Sequence, residues 1–262
     1  MKPPLLIDLD GVLRLGKTIA PFMDEFLSFI KSTDLKACIL SNSTLSTASD
    51  VKTFFKQNGI NLELPVMTAS EVAAVYCRMR YKKVSVFCAE NVKSIFENMI
   101  DDENPEAVVI GDYGKKWDFQ TLNEIFKKVL AGADLIAMQK NRYWKTAEDG
   151  LLLDAGTFVA AIEYAAQKEA VLIGKPSPLY FRSALQLLGY QDDQKFVMIG
   201  DDLETDIRGA SELGATTILV YTGKTEYPLA HDSKIKPDYE ARNLKDAIVI
   251  LEKIFADKSW EF

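Results

Sequence analysis

Short apolar runs alternate with longer amphipathic segments along the chain. The short runs predict buried strands, because each has four to six residues and ends near polar residues or glycine. They are Pro4–Leu9, Lys36–Ser41, Val84–Cys88, Ala107–Gly111, Leu135–Met138, Phe196–Gly200 and Thr216–Tyr221. The longer segments predict helices at residues 21–31, 47–58, 70–80, 91–99, 119–130, 155–167, 178–188, 204–213 and 244–255. This alternation predicts parallel strands with right-handed crossovers, an α/β fold that binds ligands at the carboxyl ends of its strands.

The polar residues that could carry chemistry fall into two blocks, one before about residue 45 and one after about residue 172. The stretch between the blocks has its own alternation of strands and helices but no comparable cluster. This distribution predicts a Rossmann-like parallel-sheet core formed by residues 1–78 and 172–262, with an inserted α/β cap domain at residues 79–171.

Composition narrows the classes of partner. The 262 residues include 31 Lys and Arg against 38 Asp and Glu, a net charge of −7. We therefore expect no nucleic-acid partner, because sequence-independent binding needs clustered cations. No apolar run approaches the ~20 residues that span a bilayer, and Asp8 and Asp10 interrupt the N-terminal apolar stretch. We expect no membrane association and a cytoplasmic location. A single histidine, His231, makes a histidine-based metal cluster implausible.

The first predicted strand runs into the sequence Asp8-Leu9-Asp10-Gly11. Alternate residues of a strand share a face, so the two carboxylates point the same way and repel each other unless a cation lies between them. One interpretation is a Mg²⁺ site in which Asp8 is a nucleophile and Asp10 a general acid and base. The other is a strand-end turn in which Asp and Gly serve only to form the turn.

The same region also matches the P-loop pattern GxxxxGK[ST] over Gly11–Thr18. A P-loop wraps a phosphate with its backbone amides and leads directly into a helix. The apolar residues Val12, Leu13 and Leu15 fit one arm of a small hairpin that turns at Gly16-Lys17 better, and Pro21 follows too soon for a helix that starts at Gly16. A nucleotide-binding P-loop therefore stays open as the alternative function.

Further polar residues follow later predicted strands. Ser41 and Asn42 come at the end of the second strand, where a hydroxyl and an amide can donate hydrogen bonds to a phosphate oxygen. Lys175 lies between Gly174 and Pro176, which hold it in a defined turn. Its ammonium group could offset the charge of Asp8 and stabilise a phosphoryl group in transfer.

Four acidic residues fall within the seven positions Gly200–Asp206. Asp202 and Asp206 are four residues apart and can share one helix face near the end of a strand. Acidic residues also favour the first turn of a helix because they complement its dipole, so the cluster alone has two explanations. Its density is typical of a site beside a divalent cation.

Taken together, the four blocks resemble the haloacid dehalogenase (HAD) superfamily of phosphohydrolases. The matching motifs are DLDGV at residues 8–12, SNS at 41–43, the lysine of GKP at 175 and GDDLETD at 200–206. The long insert resembles the large α/β cap of the NagD-like subfamily. Its segments 122–126, 135–144 and 158–165 look closest to a branch that includes phospholysine phosphohistidine inorganic pyrophosphate phosphatase. The SNS motif departs from the TNN or TNT of many related proteins.

The resemblance implies a role for each matched residue. Asp8 would attack phosphorus and form an aspartyl-phosphate, while Asp10 would protonate the leaving oxygen and then activate water. Mg²⁺ would be bound by Asp8, the carbonyl of Asp10 and Asp201, with Asp202 or Asp206 behind it. The phosphoryl oxygens would be bound by Ser41, Asn42 and Lys175. A catalytically silent relative that only binds a phosphorylated ligand is the other alternative.

The leaving group is not specified by these motifs. Four residues near predicted strand ends of the cap could reach it, although each could equally be a solvated loop residue: Asp112, Lys140, Asn141 and Arg142. We expect the partner to be a small phosphorylated metabolite. The resemblance also suggests a homodimer that pairs through the cap.

Overall fold

The structure is a computed structural model, and it describes residues 2–146 and 150–256. Its contacts divide the chain into two compact units. The first unit contains Met1–Ser41, Val51–Met67 and Lys175–Phe262, and the second contains Asn42–Asp50 and Thr68–Gly174. The chain thus leaves the first unit and returns to it. The predicted boundaries of the cap, residues 79–171, stay a prediction.

Strands and helices alternate over most of the described residues. The strands are β1 (Leu5–Asp8), β2 (Arg14–Leu15), β3 (Thr18–Ile19), β4 (Ala37–Ser41), β5 (Val66–Thr68), β6 (Val84–Phe87), β7 (Ala107–Ile110), β8 (Asp134–Ala137), β9 (Tyr143–Thr146), β10 (Gly150–Leu153), β11 (Val171–Leu172), β12 (Val197–Gly200), β13 (Thr216–Val220) and β14 (Tyr239–Ala241). The α-helices are α1 (Met23–Ser32), α2 (Ala48–Gln57), α3 (Ala69–Arg80), α4 (Glu90–Lys93), α5 (Phe119–Leu130), α6 (Ala155–Ala166), α7 (Pro178–Leu187), α8 (Gly209–Ser211) and α9 (Leu244–Ala256).

The first unit is built on a six-stranded sheet with the order β14-β13-β12-β1-β4-β5. The central strand β1 pairs in parallel with β12 on one side and with β4 on the other. All residues of these three strands are buried, as expected for a parallel sheet covered on both faces. Because the three strands are parallel neighbours, their carboxyl ends at Asp8, Ser41 and Gly200 lie at one edge of the sheet. The predicted α/β fold is confirmed.

The second unit has a parallel four-stranded sheet with the order β11-β8-β7-β6. Its apolar core lies between this sheet and helices α5 and α6, where residues such as Ile110, Ile125 and Val159 are fully buried. An antiparallel hairpin formed by β9 and β10 exposes Trp144 and Leu151. The homodimer expected through the cap stays a prediction.

Several elements differ from the predicted ones for local reasons. The predicted helix at 91–99 is the short α4 followed by a 3₁₀ helix at Ser94–Met99. The predicted helix at 204–213 begins as a π-helix at Leu203–Arg208 and ends as α8. Strands β5, β11 and β14 are only two or three residues long, too short for periodicity to reveal. Within the described residues, no helix is long and apolar enough to cross a bilayer.

Candidate active site

The loop after β1 places Asp8 and Asp10 in different surroundings. Asp8 ends the strand and is buried, whereas the carboxylate of Asp10 is half exposed. Arg14 binds that carboxylate with both branches of its guanidinium: Nε lies 2.7 Å from Oδ1 and Nη2 lies 3.1 Å from Oδ2. Gly11 has a φ of 93°, a left-handed conformation that favours glycine and turns the chain between the two acids and the arginine.

The segment Gly11–Thr18 folds as a hairpin and not as a P-loop. Its antiparallel strands β2 and β3 pair Arg14 with Ile19 and Leu15 with Thr18, and the turn falls at Gly16-Lys17. Val12 and Leu13 are fully buried, and the next helix starts only at Met23. The predicted hairpin is confirmed. The nucleotide-binding alternative is wrong, because no helix N-terminus follows the loop to meet a phosphate.

Lys175 connects two parts of the site. Its ammonium group forms an ion pair with Oδ1 of Asp8 and lies 2.7 Å from Oδ1 of Asp206. All three side chains are almost completely buried. Burial alone would lower the pKa of Lys175, but Asp206 and Asp8 raise it above its ordinary value. The lysine is therefore a fixed cation at the carboxyl end of β1.

The segment after β12 directs its three aspartates differently. Asp202 is the N-cap of the π-helix, and its Oδ1 accepts hydrogen bonds from the backbone N–H groups of Glu204 (2.9 Å) and Thr205 (3.3 Å). Asp206 lies one turn later and points back, so that its Oδ2 accepts from the N–H groups of Asp201 and Asp202, both at 3.2 Å. Asp206 is thus part of the buried cluster, whereas Asp202 lies beside it.

Asp8, Asp201 and Asp206 together form a candidate metal centre. One carboxylate oxygen of each lies within 4.8 Å of one oxygen of each of the others. Burial and the charge of Asp206 raise the pKa of Asp8 well above its usual range and that of Asp201 to about 7. The same burial raises the pKa of Asp206, against the opposing effect of Lys175. The pKa values of all three buried acids are raised because their joint ionisation is unfavourable without a compensating charge, so the group could hold a metal ion.

The loop after β13 packs against these acids. Its residues Thr222–Thr225 spell TGKT, and we refer to them as the TGKT loop. The backbone N–H of Lys224 donates to Oδ2 of Asp201 at 2.6 Å, and its ammonium group pairs with Asp202. That pairing outweighs the effect of burial and holds the pKa of Asp202 below its ordinary value. Thr222 Oγ1 donates to the carbonyl of Gly11 at 2.5 Å.

The end of β4 carries Ser41, which is fully buried. Its Oγ lies 3.5 Å from Oδ2 of Asp10, so the serine hydroxyl faces the same space as the acid. The hydroxyl of Tyr180 lies 2.7 Å from the carbonyl oxygens of both Ser41 and Met67 and fixes the end of this strand. Asn42, the next residue, belongs to the second unit.

The four predicted cap residues all lie at the carboxyl ends of β7 and β8 in the second unit. Asp112 accepts a hydrogen bond from the N–H of Gly114 at 2.8 Å. The ammonium group of Lys140 is held by the carboxylate of Glu163 at 2.7 Å. Asn141 and Arg142 follow in a loop that receives backbone hydrogen bonds from the start of α6. All four residues therefore belong to the second unit, and their contact with a leaving group stays a prediction.

Two further residues shape that loop. The buried Gln139 donates from Nε2 to Oδ1 of Asp154 at 2.6 Å, and its Oε1 accepts from the N–H of Asn141. Asp154 is also the N-cap of α6, and burial raises its pKa. Sequence reasoning missed Gln139 and Asp154. The available signal was an Asp directly before a helix and a Gln directly after a buried strand.

In the first unit, Arg14 and the TGKT loop were also missed. The TGKT loop follows a predicted strand, and β13 is the direct neighbour of β12. Residues at the carboxyl ends of neighbouring parallel strands meet, so the position of the loop after a predicted strand was the available signal, although the sequence does not give the strand order. Arg14 had no signal other than its place four residues after Asp10.

Two family models match the chain. Residues 5–99 match a model described as haloacid dehalogenase-like hydrolase, and residues 172–247 match one described as HAD-hydrolase-like. Phospholysine phosphohistidine inorganic pyrophosphate phosphatase from Mus musculus is 33% identical, over 97% of this chain and 95% of that protein. The haloacid dehalogenase-like hydrolase domain-containing protein 2 from Bos taurus is 33% identical, over 89% of this chain and 88% of that protein.

Solved structures give the same result. A 4-nitrophenylphosphatase from Thermotoga maritima is 26% identical and superimposes with a TM-score of 0.86, over 94% of this chain and 96% of that one. NagD from E. coli K-12, 24% identical, has the same fold, with a TM-score of 0.81 over 92% of this chain and 96% of that one. The chain therefore belongs to the haloacid dehalogenase-like hydrolases and is a phosphohydrolase of the NagD-like fold. The resemblance drawn from its four motifs is confirmed.

Proposed function

We propose that the protein is a Mg²⁺-dependent phosphatase that hydrolyses a small phosphate monoester through an aspartyl-phosphate on Asp8. The observation that carries this proposal is the buried group of Asp8, Asp201 and Asp206 around a single fixed ammonium, that of Lys175, in the described part of the chain. The proposed nucleophile Asp8, the ammonium group of Lys175 and the other two acids of the cluster all belong to the first unit.

The acid cluster fits a divalent cation by charge. Three ionised carboxylates facing one ammonium leave two negative charges in a buried space, and one divalent cation balances them. The oxygen ligands are those that Mg²⁺ prefers. Asp8, Asp201 and the carbonyl of Asp10 would hold it. We add Asp206, which the family resemblance puts behind the ligands, because one of its carboxylate oxygens lies within 4.8 Å of those of Asp8 and Asp201. When bound, Mg²⁺ supplies a positive charge that stabilises the negative charge of the phosphoryl group.

Asp8 and Asp10 would divide the covalent work between them. A carboxylate oxygen of Asp8 attacks phosphorus, and the ester bond breaks as Asp10 protonates the leaving oxygen. Asp10 then accepts a proton from a water molecule that attacks the aspartyl-phosphate, which releases phosphate and restores Asp8. The different surroundings of the two acids suit these roles, because the buried one is fixed and the half-exposed one can exchange protons.

The remaining polar groups would bind the phosphoryl oxygens. Lys175 presents a permanent positive charge beside Asp8, and Ser41 presents a hydroxyl close to Asp10. We assign Asn42 to the same task from its place in the SNS motif. Asp112, Lys140, Asn141 and Arg142 remain our candidates for contacts with the leaving group. The substrate is then a small phosphorylated metabolite, chosen by contacts of this kind.

A second substrate class is a phosphoramidate or pyrophosphate. The name of the Mus musculus relative, 33% identical over nearly the full length, includes phospholysine, phosphohistidine and pyrophosphate. The P–N bond of a phosphoramidate can be cleaved by the same nucleophile, with Asp10 delivering its proton to nitrogen. We therefore include these compounds beside phosphate monoesters in the experiment below.

The test uses the purified full chain with 4-nitrophenyl phosphate and a panel of sugar, nucleotide and amino-acid phosphates, phosphoramidates and pyrophosphate. We expect turnover with Mg²⁺ and its loss in excess EDTA. Borohydride reduction during turnover should convert the aspartyl-phosphate at position 8 to homoserine, detected by peptide mass spectrometry. Full activity in EDTA contradicts the metal dependence, and homoserine at a different aspartate contradicts the choice of nucleophile.

A further inference from the structure

The TGKT loop contacts the two segments of the first unit that carry the acids, the one after β1 and the one after β12. Thr222 binds the carbonyl of Gly11 at 2.5 Å, which attaches the loop to the segment that carries Asp8. Thr225 binds the carbonyl of Asp201 through its N–H at 3.2 Å and its hydroxyl at 2.6 Å. Between these anchors, the N–H of Lys224 donates to the Asp201 carboxylate itself, at 2.6 Å. The loop therefore holds Asp201 by its main chain and its side chain.

Gly223 shows how closely the loop approaches. A Cβ atom at this position would lie 2.6 Å from Cα of Gly11 and would overlap the carboxylate of Asp201. A side chain cannot be accommodated there without moving one of the two loops. The sequence thus uses glycine where the TGKT loop meets the acid cluster.

The ammonium group of Lys224 fixes this arrangement from the outside. It pairs with Oδ2 of Asp202, whose Oδ1 caps the π-helix. That helix carries Asp206 into the cluster. One side chain therefore joins the loop that orients Asp201 to the helix that presents Asp206. The lysine side chain is 47% exposed, so removing its charge leaves no cavity.

We infer that the TGKT loop is a positioning element of the metal site, and that Lys224 holds it against Asp202 so that Asp201 is oriented for Mg²⁺. This inference rests on the proposed function, since it concerns the proposed metal ligands. Lys224 does not contact the phosphoryl group in this role. Its effect passes through Asp201 and Asp202, in the way that groups behind metal ligands tune affinity.

The direction in which one substitution changes the affinity for Mg²⁺ distinguishes a positioning role from a simple electrostatic effect. Lys224→Met keeps the length of the side chain and the backbone N–H but removes the charge. Loss of a nearby positive charge alone would strengthen the binding of a cation. Loss of positioning weakens it, and removal of a group behind a metal ligand typically costs about tenfold in affinity or more. The two explanations thus predict opposite changes.

The experiment titrates Mg²⁺ into the metal-free full chain by isothermal calorimetry. We expect the Kd to rise about tenfold in Lys224→Met and to return to within about threefold in Lys224→Arg, which restores the pairing with Asp202. Lys31→Met is the matched control, because it removes a lysine from an exposed ion pair with Glu63 in the same unit. We expect no change there. The thermal stability of the metal-free chain should change little in all three variants.

Several outcomes would overturn the inference. If the unsubstituted chain binds Mg²⁺ and Lys224→Met binds it equally tightly or more tightly, the positioning role of Lys224 is wrong. The proposed metal site is not contradicted by that result. A weaker Kd that Lys224→Arg does not restore also contradicts the positioning role, as does an equal loss in Lys31→Met. If the unsubstituted chain binds no Mg²⁺, the proposed metal site is wrong and the inference falls with it.

Discussion

Asp8 is the residue on which the proposed chemistry depends most. Asp8→Asn keeps the shape of the side chain but removes the nucleophile, so we expect turnover of 4-nitrophenyl phosphate to fall by about four orders of magnitude or more. Lys17→Ala is the matched comparison, because Lys17 is exposed at the turn of the β2–β3 hairpin. No proposed step needs the charge of Lys17. We therefore expect the activity of Lys17→Ala to stay within about twofold of that of the unsubstituted chain.

Steady-state kinetics on 4-nitrophenyl phosphate and on ATP check this pair of variants. Activity that survives Asp8→Asn and collapses in Lys17→Ala would contradict the assignment of Asp8 as the nucleophile. Circular dichroism of both variants shows whether each is folded.

The acid cluster also makes a residue-level prediction about pH. The pKa of Asp201 is about 7 in the folded, metal-free chain, because burial and Asp206 disfavour its charge, and it is near 3.9 in an unfolded chain. Between these values the folded state holds a proton that the unfolded state has lost. The free energy of unfolding therefore falls as pH rises from about 4 to about 7.

Urea denaturation in EDTA at several pH values measures this decrease. The fall in the free energy of unfolding with pH should be smaller in Asp201→Asn, because the asparagine cannot ionise. It should also be smaller in the unsubstituted chain with Mg²⁺, because the cation then replaces the proton. Stability that rises over the same pH range in EDTA would contradict the buried, cation-dependent cluster.

At the level of elements, the loop between β8 and β9 offers the next test. Gln139 and Asp154 hold this loop at the start of α6, and it presents Asn141 and Arg142. If these two residues contact the leaving group, Asn141→Ala and Arg142→Ala should change kcat/KM for large phosphate esters by about tenfold or more. Small aryl phosphates should be affected less than about twofold, because they lack the remote group.

Comparison of kcat/KM across the substrate panel checks this expectation. Lys83→Ala is a suitable control, since Lys83 is half exposed, pairs with Asp101 and lies just before the amino end of β6 in the same unit. An equal loss on every substrate would mean a general defect of the fold, and no change on any substrate would remove the two residues from the leaving-group site.

The elements also show how far the sequence could predict the molecule. The buried strands β1, β4 and β12 were predicted because each is a short continuous apolar run, as is typical of a buried parallel strand. Each run ends in polar residues, namely Asp, Ser-Asn or Gly-Asp, and ligand-binding residues are expected at the carboxyl ends of such strands. Asp202 and Asp206 were expected to share a helix face, but that assumes α-helical geometry. Asp202 is instead the N-cap, and its carboxylate is turned to the N–H groups that begin the π-helix, whereas the carboxylate of Asp206 points back into the cluster.

Other features depend on contacts that sequence spacing does not contain. The pairing of Arg14 with Asp10 results from the tight turn over residues 11–13, before the β2–β3 hairpin, which places residues four apart side by side. The TGKT loop meets Asp201 only because β13 lies next to β12 in the sheet. Strand order within a parallel sheet is fixed by the packing of the whole unit, so a single sequence gives no direct evidence of it.

At the scale of the whole molecule, the two units should respond differently to Mg²⁺. The proposed carboxylate ligands, Asp8, Asp201 and Asp206, all belong to the first unit, as does the TGKT loop. A ligand that binds only the folded state stabilises it by mass action, by about 2.7 kcal/mol at a hundred times its Kd. The first unit should therefore unfold at a temperature about 5–10 °C higher with saturating Mg²⁺ than in EDTA.

Hydrogen exchange with mass spectrometry resolves the two units in one experiment. Mg²⁺ should slow exchange at the carboxyl ends of β1 and β12 and in the TGKT loop, while the sheet formed by β6, β7, β8 and β11 exchanges at an unchanged rate. Asp206→Asn should abolish the difference in the first unit, because it removes one of the three carboxylates. Equal protection of both units by Mg²⁺, or protection that persists in Asp206→Asn, would place the cation elsewhere.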